Sequence, residues 1–148
     1  MGLMAAIGRG PVALDTVAII YFIEEHPLFL PLIAPIFDQV DSGQLHAVTS
    51  AVTLLEVLVI PYRAGNLALA SRYEELLTRS RGFHTIELDR AQLRAAAQLR
   101  ALYRLRTPDA LQLAAALSQG CSSLVTNDRD LPALPNLRII QLRDYLSR

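Results

Sequence analysis

The stretch Val12-Ala13-Leu14-Asp15-Thr16 begins with a short apolar run, and the carboxylate of Asp15 follows it directly. A stretch near the other end of the chain, Leu124-Val125-Thr126-Asn127-Asp128, has the same form. Buried strands of parallel sheets are continuously apolar, and ligands bind in the crevice at the carboxyl ends of such strands. We therefore expect Asp15 and Asp128 to lie in one crevice of a parallel sheet.

Two other acidic residues occupy positions where a carboxylate is awkward. Glu56 interrupts the strongly apolar helix predicted for Ser50–Arg63, and a buried carboxylate without a partner is costly. Asp109 follows Thr107-Pro108, which predicts the first turn of a helix with the threonine as N-cap. If that helix starts at the same crevice, Asp109 joins the other acids there.

Three of these acids also have an ordinary structural explanation. Asp15 is well placed to cap the first helix, and Asp109 would stabilise the positive end of its own helix dipole. Asp128 follows a strand, where side-chain turns are common, and Asp130 is a rival for its role. Each position alone therefore leaves structure and function open.

For Glu56 the structural alternative is an ion pair with Arg63 or Arg106. Four carboxylates gathered in one crevice, however, would repel one another and raise their pKa values. A divalent cation removes that penalty, and oxygen ligands without His or Cys suit Mg²⁺ or Mn²⁺ and phosphodiester chemistry. The candidate catalytic residues and metal ligands are therefore Asp15, Glu56, Asp109 and Asp128.

The composition limits the classes of function. The chain has 148 residues, 52% of them hydrophobic, and no formal net charge, which predicts one globular domain without a broad basic surface. All 14 basic residues are arginine, which excludes a lysine-containing phosphate loop and Schiff-base chemistry. The single Cys121 excludes a disulfide framework and indicates a reducing compartment, so we expect a cytoplasmic protein. No apolar stretch is long enough to span a bilayer, so no membrane association is expected.

Strand-like apolar runs alternate with helical segments along the chain. Five strands are predicted: Val12–Leu14, Leu45–Thr49, Phe83–Leu88, Leu124–Thr126 and Leu137–Leu142. Six helical segments lie between them: Thr16–Glu25, Leu28–Val40, Ser50–Arg63, Leu67–Arg79, Asp89–Leu105 and Thr107–Gly120. Prolines at 27, 31 and 35 predict that the second segment is a short or broken helix. This order predicts an α/β fold whose parallel sheet is covered on both faces.

The segments that carry the acids closely resemble the PIN-domain family, in particular the VapC-type toxins of bacterial toxin–antitoxin pairs. The segments are Leu14–Thr16, Thr49–Val57, Leu105–Ala116 and Leu124–Leu131. The Thr-Pro-Asp-Ala helix start and the Thr-Asn-Asp strand end are the most specific, because they occur together and in the expected order. The resemblance extends over nearly the whole chain, residues 11–143.

The resemblance implies a three-layer α/β/α sandwich around a parallel sheet of four to five strands. It also implies a Mg²⁺- or Mn²⁺-dependent endoribonuclease that cuts RNA phosphodiester bonds. Asp15 and Asp109 would be the main metal ligands, and Glu56 and Asp128 would complete the acidic pocket directly or through water.

The family habit also implies three partners. They are an RNA substrate, a cognate antitoxin whose tail enters the acidic groove, and a second copy of the chain. The sequence supports the homodimer separately, since Ser50–Ile60 and Leu28–Phe37 hold more apolar residues than one buried face of each requires.

Two features depart from the family pattern. The first acid is residue 15, farther from the N-terminus than is usual. Residues 1–10 are therefore predicted to be an extension, either disordered or containing the true translation start at Met4, and residues 11–148 the PIN domain. Gln112 stands where relatives often have histidine, which removes a possible base but no metal ligand.

Two other functions remain open from the sequence. A PIN nuclease could mature RNA in a housekeeping role without any antitoxin, and the sequence does not separate this from a toxin. A catalytically silent PIN-like binding module is disfavoured because all four acids are present.

Overall fold

The computed structural model of the protein describes residues 1–147. In chain order the elements are α1 (Leu3–Ile7), β1 (Val12–Leu14), α2 (Thr16–Ile23), α3 (Leu30–Asp41), β2 (Ala47–Ser50), α4 (Val52–Arg63), α5 (Leu67–Arg79), β3 (Phe83–Ile86), α6 (Arg90–Leu102), α7 (Thr107–Ser118), β4 (Ser123–Thr126) and β5 (Arg138–Gln141). A short 3-10 helix, Leu142–Tyr145, follows β5. The predicted alternation of strands and helices is confirmed.

The five strands form one parallel sheet in the order β3-β2-β1-β4-β5. The chain builds outward from β1 to one side through β2 and β3, and then returns to the other side for β4 and β5. The strand order therefore reverses between β1 and β4, where Leu14 pairs with Val125. Loops leaving adjacent strands in opposite directions open a crevice at this point.

Two hydrophobic clusters cover the two faces of the sheet. Val12 and Leu14 of β1 point into a cluster formed with α1 to α5, whereas Ala13 points into a cluster formed with α6 and α7. This alternation is the period of two expected of a strand with both faces buried. The predicted three-layer α/β/α sandwich is thus confirmed, and its parallel sheet has five of the four to five strands expected.

The segment predicted as short or broken by its prolines is a continuous helix, so that prediction is wrong. The helix α3 runs for 12 residues with Pro35 in its interior. Pro35 leaves the carbonyl group of Pro31 without its intrahelical donor, but this loss falls in the first turn of the helix. The buried face of α3, with Ile33, Ile36 and Phe37, packs into the core and stabilises the helix against that loss.

The predicted N-terminal extension contains the helix α1. Leu3 and Ile7 are buried in the larger hydrophobic cluster, so this part of the predicted extension is a helix packed on the core. Burial of these two apolar side chains stabilises the packing of α1 against the core. The domain boundary at residue 11 stays a prediction. Among the helices of residues 1–147, none has the length and apolar character needed to cross a membrane.

Candidate active site

The four predicted acids line one cleft at the carboxyl edge of the sheet, where β1 and β4 diverge. The cleft has a volume of about 670 Å³, and its walls also include Asp130, Arg106 and Arg143. The acids reach it from four different elements or loops, namely the β1–α2 junction, α4, the start of α7 and the loop after β4. The structure therefore brings together residues that are widely separated in the sequence.

Asp15 is held at the bottom of the cleft by two hydrogen bonds. Its Oδ1 accepts from the backbone N–H of Thr16 at 2.8 Å, and its Oδ2 accepts from the hydroxyl of Thr126 at 2.7 Å. Burial raises the pKa of Asp15, these two hydrogen bonds oppose the shift, and the charges of Asp109 and Glu56 add to it. Asp15 is thus both the N-cap of α2 and a member of the acidic cluster.

Glu56 enters the cleft from the middle of α4 and is oriented by α2. The hydroxyl of Thr16 donates to its Oε1 at 2.7 Å. The predicted alternative, an ion pair with Arg63 or Arg106, is wrong for the part of the chain that the structure describes. The position of Glu56 in an apolar helix is explained by the cleft that α4 borders.

A buried polar network beneath the acids was missed by the sequence analysis. The side-chain Nε2 of Gln112 donates to the hydroxyl of Thr53 at 2.6 Å and to that of Thr16 at 3.3 Å. Its Oε1 accepts from the backbone N–H of Ser50 at 3.1 Å. Gln112 is only 2% exposed. The network therefore fixes Thr16, and through it Glu56, to the helix α7.

Asp109 lies in the first turn of α7, as predicted. Burial raises the pKa of Asp109, whereas the neighbouring guanidinium of Arg106 opposes that shift. The N-cap of the helix is Arg106, whose backbone is extended, and not Thr107 as predicted. The helix starts one residue later than its cap, and Thr107 is its first residue.

Asp128 is placed by a tight turn after β4. Its backbone N–H donates to Thr126 Oγ1 at 3.0 Å, and its Oδ1 accepts from the backbone N–H of Asp130 at 2.9 Å. Asp130 also lines the cleft, so both acids are within its walls. The assignment of Asp128, and not Asp130, as the fourth acid of the site stays a prediction.

The cleft contains arginine as well as acid. The Nε of Arg106 is 3.2 Å from Oδ2 of Asp109, and its Nη2 is 3.9 Å from Oδ2 of Asp128. Arg143 lines the same cleft. Arg106 was predicted only as a partner of Glu56, although its position three residues before Asp109, across one helical turn, indicates this contact.

The donor chemistry of the cleft fits a hard divalent cation. The facing groups are carboxylate oxygens, and two of them have pKa values raised by burial, with a further contribution from their neighbours. Across residues 1–147 no three acidic, His or Cys side chains are close enough to hold an ion among themselves. Mg²⁺ is commonly held by one or two carboxylates with several waters, so the oxygen donors that line the cleft are of the kind that this ion accepts.

Comparison with known proteins identifies the fold independently. The sequence profile of the PIN domain family matches residues 12–137. No curated protein sequence matches the chain. Several solved structures share the fold, and one of them is VapBC2 from Rickettsia felis bound to a DNA fragment from their promoter. It has 18% identity and a TM-score of 0.67, and the match covers 88% of this chain and 97% of that one.

Two further structures are similar to a comparable degree. DNA-bound VapBC from Salmonella typhimurium has 23% identity and a TM-score of 0.63, with 88% of this chain and 97% of that chain covered. A toxin–antitoxin complex from Klebsiella pneumoniae has 22% identity and a TM-score of 0.60, with coverages of 85% and 94%. At these identities the structures establish the shared fold, and the family match spans most of the sequence. This chain belongs to the PIN domain family.

Proposed function

We propose that this protein is a Mg²⁺- or Mn²⁺-dependent endoribonuclease and the toxin of a toxin–antitoxin pair. The observation that carries the proposal is the convergence of four carboxylates, from four separate parts of the chain, on one cleft at the switch point of the sheet. Burial and neighbouring carboxylates raise the pKa values of Asp15 and Asp109, and such an arrangement is costly unless a cation is bound. Hydrolysis of a phosphodiester is the chemistry that such a site serves best.

In this proposal Asp15 and Asp109 are the main metal ligands, and Glu56 and Asp128 complete the pocket directly or through water. When bound, the divalent ion would supply Lewis acidity toward the phosphoryl oxygens and a lowered pKa for coordinated water. The remaining chemistry belongs to the protein, which orients the carboxylates and accepts protons.

We assign to Glu56 the role of accepting a proton from the attacking water. Its Oε1 is fixed by the Thr16 hydroxyl, and within residues 1–147 its Oε2 has no hydrogen-bond partner. Thr126 and the Thr16 N–H hold both oxygens of Asp15. The carboxylates are thus positioned before substrate arrives, which reduces the reorganisation needed in the transition state.

The proposed partners are an antitoxin and a second copy of the chain. One of the similar structures is described as a toxin–antitoxin complex, and two others are described as DNA-bound VapBC, which supports a cognate antitoxin for this chain. An acidic cleft would also attract an arginine from an antitoxin tail through charge-assisted hydrogen bonds. A homodimer is proposed because Leu55 and Ile60 of α4 are 65% and 72% exposed and are apolar.

The decisive experiment is digestion of total RNA by the purified protein with Mg²⁺, and with EDTA as the matched control, followed by mapping of the cut ends. We expect metal-dependent cleavage at defined sites, and a loss of about 100-fold in rate for Asp15→Asn. Asp128→Asn should be similarly damaging and Asp130→Asn mild. Intact RNA in the presence of metal would contradict the nuclease, and the reverse order of the last two variants would reassign the fourth acid to Asp130.

Expression in cells distinguishes a toxin from a housekeeping nuclease that matures RNA without an antitoxin. A toxin should arrest growth when the wild type is expressed alone, and Asp15→Asn should not. Arrest should be relieved by a small protein encoded beside it. Harmless expression of a protein that cleaves RNA in vitro would favour RNA maturation without an antitoxin.

A further inference from the structure

Arg106 lies at the mouth of the acidic cleft, immediately before α7. Its guanidinium contacts Asp109 through Nε at 3.2 Å and approaches Asp128 through Nη2 at 3.9 Å. The two carboxylates come from different parts of the fold, the start of α7 and the loop after β4. A cation of the protein's own chain therefore stands between two of the acids that a metal ion would use.

This contact is easily exchanged. The side chain of Arg106 is 78% exposed, whereas those of Asp109 and Asp128 are 13% and 26% exposed. Exposed ion pairs are weak because water screens them and because a long side chain loses freedom when it is held. A divalent ion that binds the same two carboxylates can displace the guanidinium at small cost.

The backbone of Arg106 stays in place when the side chain leaves. Its carbonyl group accepts the N–H of Ala110 at 3.1 Å, which anchors the residue as the N-cap of α7. The displaced guanidinium therefore remains at the mouth of the cleft. There it is the cationic group beside the carboxylates that line the cleft, which would otherwise repel a phosphate.

We propose that Arg106 is a phosphate-binding residue that leaves Asp109 and Asp128 when the divalent cation binds and then contacts the RNA backbone beside the scissile bond. A guanidinium presents a planar pair of donors that matches two phosphate oxygens. This inference rests on the proposed nuclease function and deepens it, since it assigns the residue that recognises substrate phosphate.

The effects of removing Arg106 would differ if its ion pairs had only a structural role. If Arg106 only stabilises the start of α7, its removal lowers stability and leaves metal and RNA affinities unchanged. In the exchange proposal, Arg106→Gln has effects of opposite sign: the metal binds more tightly because its competitor is gone, and RNA binds more weakly because a phosphate contact is lost.

The test compares the wild type with Arg106→Gln, Arg106→Lys and a matched control, Arg129→Gln. Arg129 forms an exposed ion pair with Asp144 at 2.9 Å and does not line the cleft, so its loss removes the same charge and one ion pair elsewhere. Mn²⁺ affinity is measured by calorimetry without RNA. Binding of a labelled single-stranded RNA of mixed sequence is measured by anisotropy at several salt concentrations, with Ca²⁺ to slow cleavage.

For Arg106→Gln we expect the Mn²⁺ Kd to fall by about twofold to fivefold and the RNA Kd to rise by roughly tenfold. The slope of log affinity against log salt should become less steep by about 0.7, the value for one lost phosphate contact on single-stranded nucleic acid. Arg106→Lys keeps the charge but not the paired donors, so its Mn²⁺ Kd should match the wild type while its RNA Kd rises. Arg129→Gln should match the wild type in Mn²⁺ affinity.

An unchanged Mn²⁺ Kd or an unchanged RNA salt slope in Arg106→Gln overturns the inference. If Arg106→Gln fails to fold, Arg106→Lys decides, and RNA binding equal to that of the wild type overturns it. If the wild type binds and cleaves RNA and both Arg106 variants behave as it does, this inference is wrong and the proposed nuclease function is unaffected. A wild type that neither binds nor cleaves RNA defeats both.

Discussion

At the scale of single residues, Asp15 combines deep burial with a charge that burial disfavours. Its pKa is raised above its ordinary value of 3.8, chiefly by burial, so the folded state binds the proton more tightly than the unfolded chain does. Without metal, its contribution to stability is therefore greatest below the ordinary pKa and declines as the pH rises through the higher, folded pKa. At neutral pH the charged, buried carboxylate works against folding.

We predict that Asp15→Asn melts at a higher temperature than the wild type at pH 7 without metal, and that the difference vanishes at acid pH. The amide can still accept from the Thr16 N–H and can donate to Thr126 Oγ1, so the local hydrogen bonds survive. Millimolar Mn²⁺ should raise the melting temperature of the wild type by mass action and not that of the variant. Thermal melts with and without EDTA check this.

The control for that experiment is Asp144→Asn, which removes an acid that is 56% exposed and paired with Arg129 outside the cleft. Its response to Mn²⁺ should equal that of the wild type. Equal metal responses in Asp15→Asn and Asp144→Asn would mean that the cation binds elsewhere.

At the scale of elements, Gln112 joins three parts of the fold. It lies on α7 and contacts the end of β2 through Ser50 and the helix α4 through Thr53. Leucine at this position would leave a buried backbone N–H and a buried hydroxyl with fewer partners. We predict that Gln112→Leu lowers the free energy of unfolding by about 1–3 kcal/mol, measured by urea denaturation.

Gln98→Leu is the matched control, because Gln98 is an exposed glutamine on α6. Its effect should stay within about 0.5 kcal/mol. RNA cleavage should fall more for Gln112→Leu than its stability loss explains, since the network orients Thr16 and therefore Glu56. A variant with normal activity and reduced stability would restrict Gln112 to packing.

The sequence predicted those features that depend on local pattern. The apolar runs of β1 and β4 and their terminal acids are visible in a few consecutive residues, and parallel-sheet geometry then places Asp15 and Asp128 together. The Gln112 network was not predictable in this way, because its partners are 59 to 96 residues away in the sequence. Pro35 misled the prediction of α3 because tertiary packing outweighed a local helix-breaking signal.

At the scale of the whole molecule, α4 presents an apolar surface that the described chain does not cover. Leu55 and Ile60 on it are 65% and 72% exposed. We predict a homodimer at micromolar concentration by analytical ultracentrifugation, and a monomer for Leu55→Glu and for Ile60→Glu, because a buried charge opposes association. Leu117→Glu on α7, a site 42% exposed, is the control and should remain dimeric. A monomeric wild type would contradict the dimer.

The reversal of strand order between β1 and β4 also determines when the cleft can form during synthesis. The hydrogen bond from Thr126 to Asp15 joins residues 111 positions apart, and Gln141 of β5 donates to the carbonyl of Asp128 at 2.9 Å. A ribosome must therefore synthesise most of the chain before the two halves of the cleft can meet. Fragments released early lack one half of it, so the order of synthesis itself delays the appearance of an assembled cleft until β4 and β5 have emerged.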